Sequence, residues 1–127
     1  MGAVALEPSH RVVFRTFQIA NGVAISGEIN LRGYMLKGFI TPAAMDGTAF
    51  SFQAAEKEGG TFRDVYDDAG AEVSVTMAAS RYVTITGADA ESMSGLDVIK
   101  VRTGLTGAPT NQTALRTITL VLAMSTK

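Results

Sequence analysis

The feature that most constrains this chain is a two-residue alternation of apolar and polar side chains, in short runs separated by glycine-bearing turns. In Thr48 to Ala54, Phe50, Phe52 and Ala54 alternate with Ala49, Ser51 and Gln53. A period of two sends the sets to opposite faces of a strand, so Phe50 and Phe52 are expected in a core. Thr61 to Tyr66 sets Phe62, Asp64 and Tyr66 against Arg63 and Val65, and Val73, Val75 and Met77 alternate with Glu72, Ser74 and Thr76. Between them, Asp67-Asp68-Ala69-Gly70 has the residues of a tight turn, so the two runs predict an antiparallel hairpin.

Further runs follow at short spacing. Arg81 to Thr86 alternates Val83 and Ile85 with Tyr82 and Thr84. Asp97 to Thr103 places Ile99 and Val101 inward with Lys100 and Arg102 outward. Leu115 to Ala123 places Ile118, Leu120 and Leu122 inward with Thr117, Thr119 and Val121 outward. Upstream, Val12 to Ala20, Val23 to Asn30 and Tyr34 to Ile40 read as strands divided by Asn21-Gly22 and Arg32-Gly33. Only Ala88 to Ser94, closed by Gly95, suggests a helical turn, and no sustained 3.6-residue period exists. About eight strands at this spacing predict an all-β fold, and the connection from Gly104 to Gln112 favours a jelly-roll-like antiparallel β-sandwich over a meander. Residues 1–11, with Pro8 and little periodicity, are expected to form an extended N-terminal arm ahead of one sandwich domain over residues 12–127.

Length and charge narrow the function. The 127 residues suit one domain, and 0 cysteines exclude disulfides, thiol nucleophiles and cysteine-based zinc sites. Charged residues are 18% of the chain, against about 25% in a typical soluble protein. The mean hydropathy is +0.20. This shortage of charge implies a Thr-, Ser- and Ala-rich sheet surface, or a surface that a partner covers. Val121 and the apolar start Ala3-Val4-Ala5-Leu6 are the residues expected at such an interface. A net charge of −1 and a pI near 5.7 argue against phosphate-driven nucleic-acid binding. No run approaches the roughly 18 apolar residues of a membrane span. Met1 to Pro8 lacks the basic start of a secretory signal, and Leu6 stands where a myristoylation motif wants Ser or Thr. Without secretion, the triplet Asn111-Gln112-Thr113 is an idle glycosylation signal.

No constellation of catalytic type emerges, and no catalytic, cofactor-binding or metal-binding residue is assigned. Asp64, Asp67 and Asp68, with Glu72, form the one acidic cluster; turn chemistry accounts for them, with a weak calcium site as the alternative. Paired acids for glycoside hydrolysis need facing carboxylates and aromatic platforms, and the chain has no Trp. His10, the single histidine, has no identifiable nucleophile or orienting acid. Gly59-Gly60 and Gly104-Leu105-Thr106-Gly107 lack the Gly-Lys-Ser/Thr of a phosphate loop. Lys100 and Arg102, with Arg116 beside them, could meet an acidic partner or simply be solvated.

Several stretches taken together resemble small structural proteins of tailed-bacteriophage particles. They are Phe39 to Ala54 (Phe39-Ile40-Thr41-Pro42-Ala43-Ala44-Met45-Asp46-Gly47-Thr48 and onward), Gly60 to Val75, Ile99 to Gly104, Asn111-Gln112, and Arg116 to Val121. The resemblance covers about residues 34 to 122 and implies a virion component, a capsid decoration (cement) protein on the capsid surface, made in the host cytoplasm. The major capsid protein would be its partner. Shell symmetry adds the expectation of a homotrimer. A weaker similarity links the chain to discoidin-type sugar-binding jelly rolls. There a Ser-x-Asp-Gly-x-Thr-Trp/Phe segment joins two strands, whereas Ala55-Glu56-Lys57-Glu58-Gly59-Gly60-Thr61-Phe62 here lacks both the Ser and the Asp. The competing readings are therefore a carbohydrate-binding module, with Tyr34 and Tyr82 as candidate platforms, and another virion part such as a head–tail connector or tail protein.

Overall fold

The computed structural model describes residues 12–124, so the proposed arm over residues 1–11, His10 within it, and residues 125–127 lie outside the described part. The strands are β1 (Val12–Ile19), β2 (Ile29–Asn30), β3 (Tyr34–Ile40), β4 (Ala49–Ala55), β5 (Arg63–Asp64), β6 (Ser74–Thr76), β7 (Tyr82–Thr84), β8 (Val98–Leu105), β9 (Ala108–Pro109) and β10 (Arg116–Met124). One short helix, α1 (Gly87–Met93), stands where the single helical turn was expected.

The strands form two antiparallel sheets, and the protein is an all-β sandwich. Sheet I has the order β1-β10-β3-β7. Sheet II has the order β2-β8-β4-β5, with β6 also on β4 and β9 on β8. Between them, alternation has placed Phe39 of sheet I against Phe50 and Phe52 of sheet II, with ring centroids 4.5 and 6.1 Å apart, and Phe17 meets Phe39 edge-on at 6.2 Å. All of Phe39, Phe50, Phe52, Ile99, Val101, Ile118, Leu120 and Leu122 are fully buried. Close-packed aromatic pairs of this kind add to the area they remove from water.

The predicted hairpin is corrected in its pairing. Arg63 and Asp64 pair with Ala54 and Gln53, and the Val65 amide donates to the Phe52 carbonyl at 3.0 Å. Ser74, Val75 and Thr76 then pair with Ser51, Phe50 and Ala49. The two runs thus lie end to end along β4, as one edge strand interrupted by an excursion over residues 66–73. That excursion is a small hairpin: Tyr66 bridges Glu72, and the Asp67 amide donates to the Ala71 carbonyl. The Asp67 carboxylate accepts from the Ala69 and Ala71 amides at 2.9 Å each, which is the turn chemistry foreseen for it.

Two other segments differ from expectation. Val23 to Asn30 is regular only at β2, because the Ser26 hydroxyl accepts the Val101 amide at 3.0 Å and interrupts the ladder with β8. Gly104 to Gln112 is not one long loop: β9 folds back on β8 before the chain crosses to sheet I. This tight return needs a glycine, since Gly104 has φ +91 and a Cβ there would press on the Ala108 and Pro109 backbone.

Candidate binding surface

The outer faces of the two sheets are the places where function can be sought. On sheet II, Arg102 and Lys100 of β8 do point away from the core, as alternation requires, yet Arg102 is only 5% exposed. The excursion and the β8–β9 turn cover it. Its guanidinium donates from both terminal nitrogens to Asp64 Oδ1, at 2.6 and 2.9 Å, and lies 3.7 Å from the Glu72 carboxylate. Its Nε donates to the Ser51 hydroxyl at 3.2 Å, which in turn donates to the Gly104 carbonyl at 2.7 Å. Thr106 closes the group, its hydroxyl on Asp64 Oδ2 at 2.7 Å and its amide on Glu72 at 3.0 Å.

These contacts hold the Asp64 carboxyl below its ordinary value of 3.8. The Thr106 hydroxyl is the largest cause; partial burial opposes it, and the Gln53 amide and the Arg102 charge reinforce it. The Asp64 carboxylate is thus occupied by a guanidinium and two further polar hydrogens, from Thr106 and Gln53. Asp67 is bound to its own turn and Asp68 is exposed, so of the acidic cluster only Asp64 and Glu72 come together, around Arg102. Among the described residues, no three His, Cys, Asp or Glu side chains stand where they could share a metal ion.

The expected basic patch is likewise corrected. Lys100 lies 4.5 Å over the Phe62 ring. Arg116 is in a different group, donating to Asp46 Oδ2 at 3.2 Å and from Nε to the Gln112 side-chain oxygen at 3.1 Å. Gln112, 1% exposed, is the centre of that group. Its amide nitrogen donates to the Asp46 carbonyl and the Thr103 hydroxyl, and its oxygen accepts from the Asp46 amide. All four hydrogen-bonding positions of the side chain are filled. Asp46 is held below 3.8 chiefly by the Thr113 amide, then by the Thr113 hydroxyl and Arg116. Such fully satisfied polar groups tie loops together and present nothing to a substrate.

Sheet I presents a different surface. Its outward residues on β1 include Val12 and Phe14, 45% and 54% exposed, and Tyr82 on β7 is 57% exposed. Between them runs a groove of about 740 Å³, lined by Met35 and Lys37 of β3, Val121 and Ala123 of β10, and the segment from Tyr82 to Ala90. Val121, expected to be exposed, is 3% exposed and forms the floor. Beside it β3 is bulged: Val121 pairs with Gly38 and Leu122 with Leu36, so Lys37 is the extra residue of β3. Gly38 itself must lack a side chain, since a Cβ would collide with the Val83 carbonyl oxygen on the neighbouring strand.

Of the candidate platforms, Tyr82 is exposed and Tyr34 packs against the core. Phe14 was not foreseen as a surface residue. The signal was present in the phase of β1, because Phe17 and Ile19 take the core positions and leave Val12 and Phe14 on the other face. The glycines at 59, 60 and 107 lie in turns and bends, whereas Gly104 lies within β8 rather than in a loop. Comparison of the chain with family models, curated proteins and solved structures finds no match.

Proposed function

We propose that the protein is a non-catalytic virion component, a decoration (cement) protein that binds an assembled bacteriophage capsid, bridges its subunits and acts there as a homotrimer. The observation that carries this reading is the bare flank of sheet I. There β1 is an eight-residue edge strand in unbroken register with β10, from Val12↔Ala123 to Ile19↔Arg116, and it displays Val12 and Phe14 outward. Long regular edges with exposed apolar side chains are normally shielded in monomers, and a lattice of subunits is one natural shield. Bridges that exist only in the assembled shell stabilise that shell by mass action. The strand order supports the jelly-roll reading. With β5 and β6 taken as one interrupted strand and β9 as an appendage, eight strands divide into two layers of four, and the chain passes from one layer to the other at most connections.

The test is to mix the labelled protein with intact, undecorated shells and to sediment the protein alone. Saturable binding at many copies per shell, a raised shell melting temperature and a trimer in solution are expected. A chain that stays monomeric at high concentration and ignores shells removes the reading, and a few copies at one vertex indicate a connector or tail protein. Exposure of Tyr82 beside a groove favours a second reading, a carbohydrate-binding module. A glycan array without binding, with and without calcium, disposes of it.

A further inference from the structure

Besides its two outer faces, the sandwich has an open flank. There β1 is the outermost described strand of sheet I and β2 the outermost described strand of sheet II. A cavity of about 390 Å³ lies between them, walled by residues 15–18 on one side and 27–30 on the other. We propose that this cavity binds a small organic carboxylate, whose charge is received by Arg15 and Arg32.

The phase of β1 gives Arg15 an unusual position. Val13, Arg15, Phe17 and Ile19 share the inward face, and Arg15 pairs with Leu120, a core residue of β10. Its Nη1 is shut off from solvent and has no hydrogen-bond partner among the described residues. Neither Arg15 nor Arg32, which lines the same cavity, has a described carboxylate within ion-pairing distance. A guanidinium keeps its charge at any ordinary pH, so one that is half-buried and unpaired is costly until an anion reaches it. Arg32 is held at the cavity by a strained turn. Between Leu31 and Tyr34 it takes φ +55 ahead of Gly33 at φ +82, a pair of conformations that suits Asn-Gly better than a long side chain.

The lining also selects the class of anion. Two glutamates belong to it, and each is engaged by a neutral donor: Glu28 accepts the Gly59 amide at 3.1 Å, and Glu58 accepts the Asn30 side-chain amide at 2.7 Å. Two arginines and two glutamates leave the lining formally neutral, so a phosphate dianion meets repulsion that a single carboxylate largely escapes. A planar carboxylate also fits the guanidinium fork. The volume is at the small end for ligand pockets, and Phe17 and Ile29 offer a short apolar floor for a few carbons. The site stands independently of the virion reading.

Melting of the full chain in sodium acetate and in sodium chloride, at one ionic strength and neutral pH, tests the site. In chloride, Arg15→Met should melt no lower than the parent, because it exchanges an unpaired half-buried charge for hydrocarbon. In about 100 mM acetate the parent should gain roughly 3 °C or more, and the variant should gain nothing. An Arg15→Met chain that melts lower in chloride, with a parent indifferent to acetate, overturns the proposal; Arg15 is then held within the chain, by Glu28 or Glu58. Equal gains in both chains overturn it as well. Acetate titration of the parent, followed through the arginine Nε–H signals in NMR spectra, needs no variant. The signals of Arg15 and Arg32 should shift to saturation, whereas that of Arg81, exposed at the far edge of sheet I, should stay in place. Unmoved Arg15 and Arg32 signals overturn the site. Phosphate should need at least about fivefold higher concentration for the same shift, and binding as tight as that of acetate overturns the assignment to carboxylate.

Discussion

On the outer face of sheet II, Ser51, Asp64 and Arg102 lie beneath the hairpin of residues 66–73 and the turn at Thr106. On the outer face of sheet I, Val12, Phe14 and Tyr82 stand in the open, with no described segment above them. Both faces consist of residues that alternation turns away from the core. The covered face carries charge and the open face carries hydrocarbon, the reverse of what exposure alone would select. Covering is what makes the difference: a buried guanidinium is tolerable when every donor is engaged, and a bare apolar strip is tolerable when something else engages it.

The contrast is broken most severely by Arg102→Ala, which leaves Asp64 and Glu72 facing each other under the hairpin. A loss of about 3 kcal/mol is expected in denaturant unfolding, the cost of removing one partner from a buried pair. A shift below about 1 kcal/mol would mean that the roof opens and water replaces the guanidinium. Gln112→Leu keeps the volume but orphans the Asp46 amide and carbonyl and removes the acceptor of Arg116 Nε. About 2 kcal/mol should be lost, read from the same curves.

Acid should act on these polar groups. Asp64 and Asp46 have their folded values lowered below 3.8, so they contribute stability that is present above the unfolded value. That contribution declines as pH falls from about 5 through the folded values, as the unfolded chain takes up protons first. Melting temperature followed from pH 6 to pH 2 should fall, and Asp64→Asn should flatten the slope from an already lower starting point. The smallest effect on folding belongs to the open face. Phe14→Ser should change stability by about 0.5 kcal/mol or less while lowering self-association and dye binding to exposed hydrocarbon, checked by light scattering and dye fluorescence.

Much of this fold is legible in the alternation itself. Phe50, Phe52, Val75, Ile99, Val101, Ile118 and Leu120 all occupy the core that period two assigns them, because a strand's pleat leaves no other choice. What alternation cannot report is whether anything lies over a face. Arg102 and Val121 are both on the outward phase and both buried, one under a hairpin and the other at the floor of a groove. The arrangement of residues 63–76 was also beyond a local reading. Two runs flanking a turn look like partners, but β4 lies alongside both and takes most of their pairings, a long-range choice that no local pattern reports. The ion pairs that hold these polar groups, Arg102 with Asp64 and Arg116 with Asp46, join residues 38 and 70 positions apart, separations at which sequence spacing carries no signal.

The place of β10 has a consequence for how the molecule is made. Every strand of sheet II lies between Ile29 and Pro109, so that layer has all its partners before the last strand has been synthesised. Sheet I does not: β1 and β3 touch only through β10, which is inserted between them. On a ribosome, β1 must therefore wait about a hundred residues for its only partner among the described strands, and loop closure of that length is slow to repay. Until β10 takes its place, a half-built sandwich shows the Phe17 and Phe39 side of one layer to the cell.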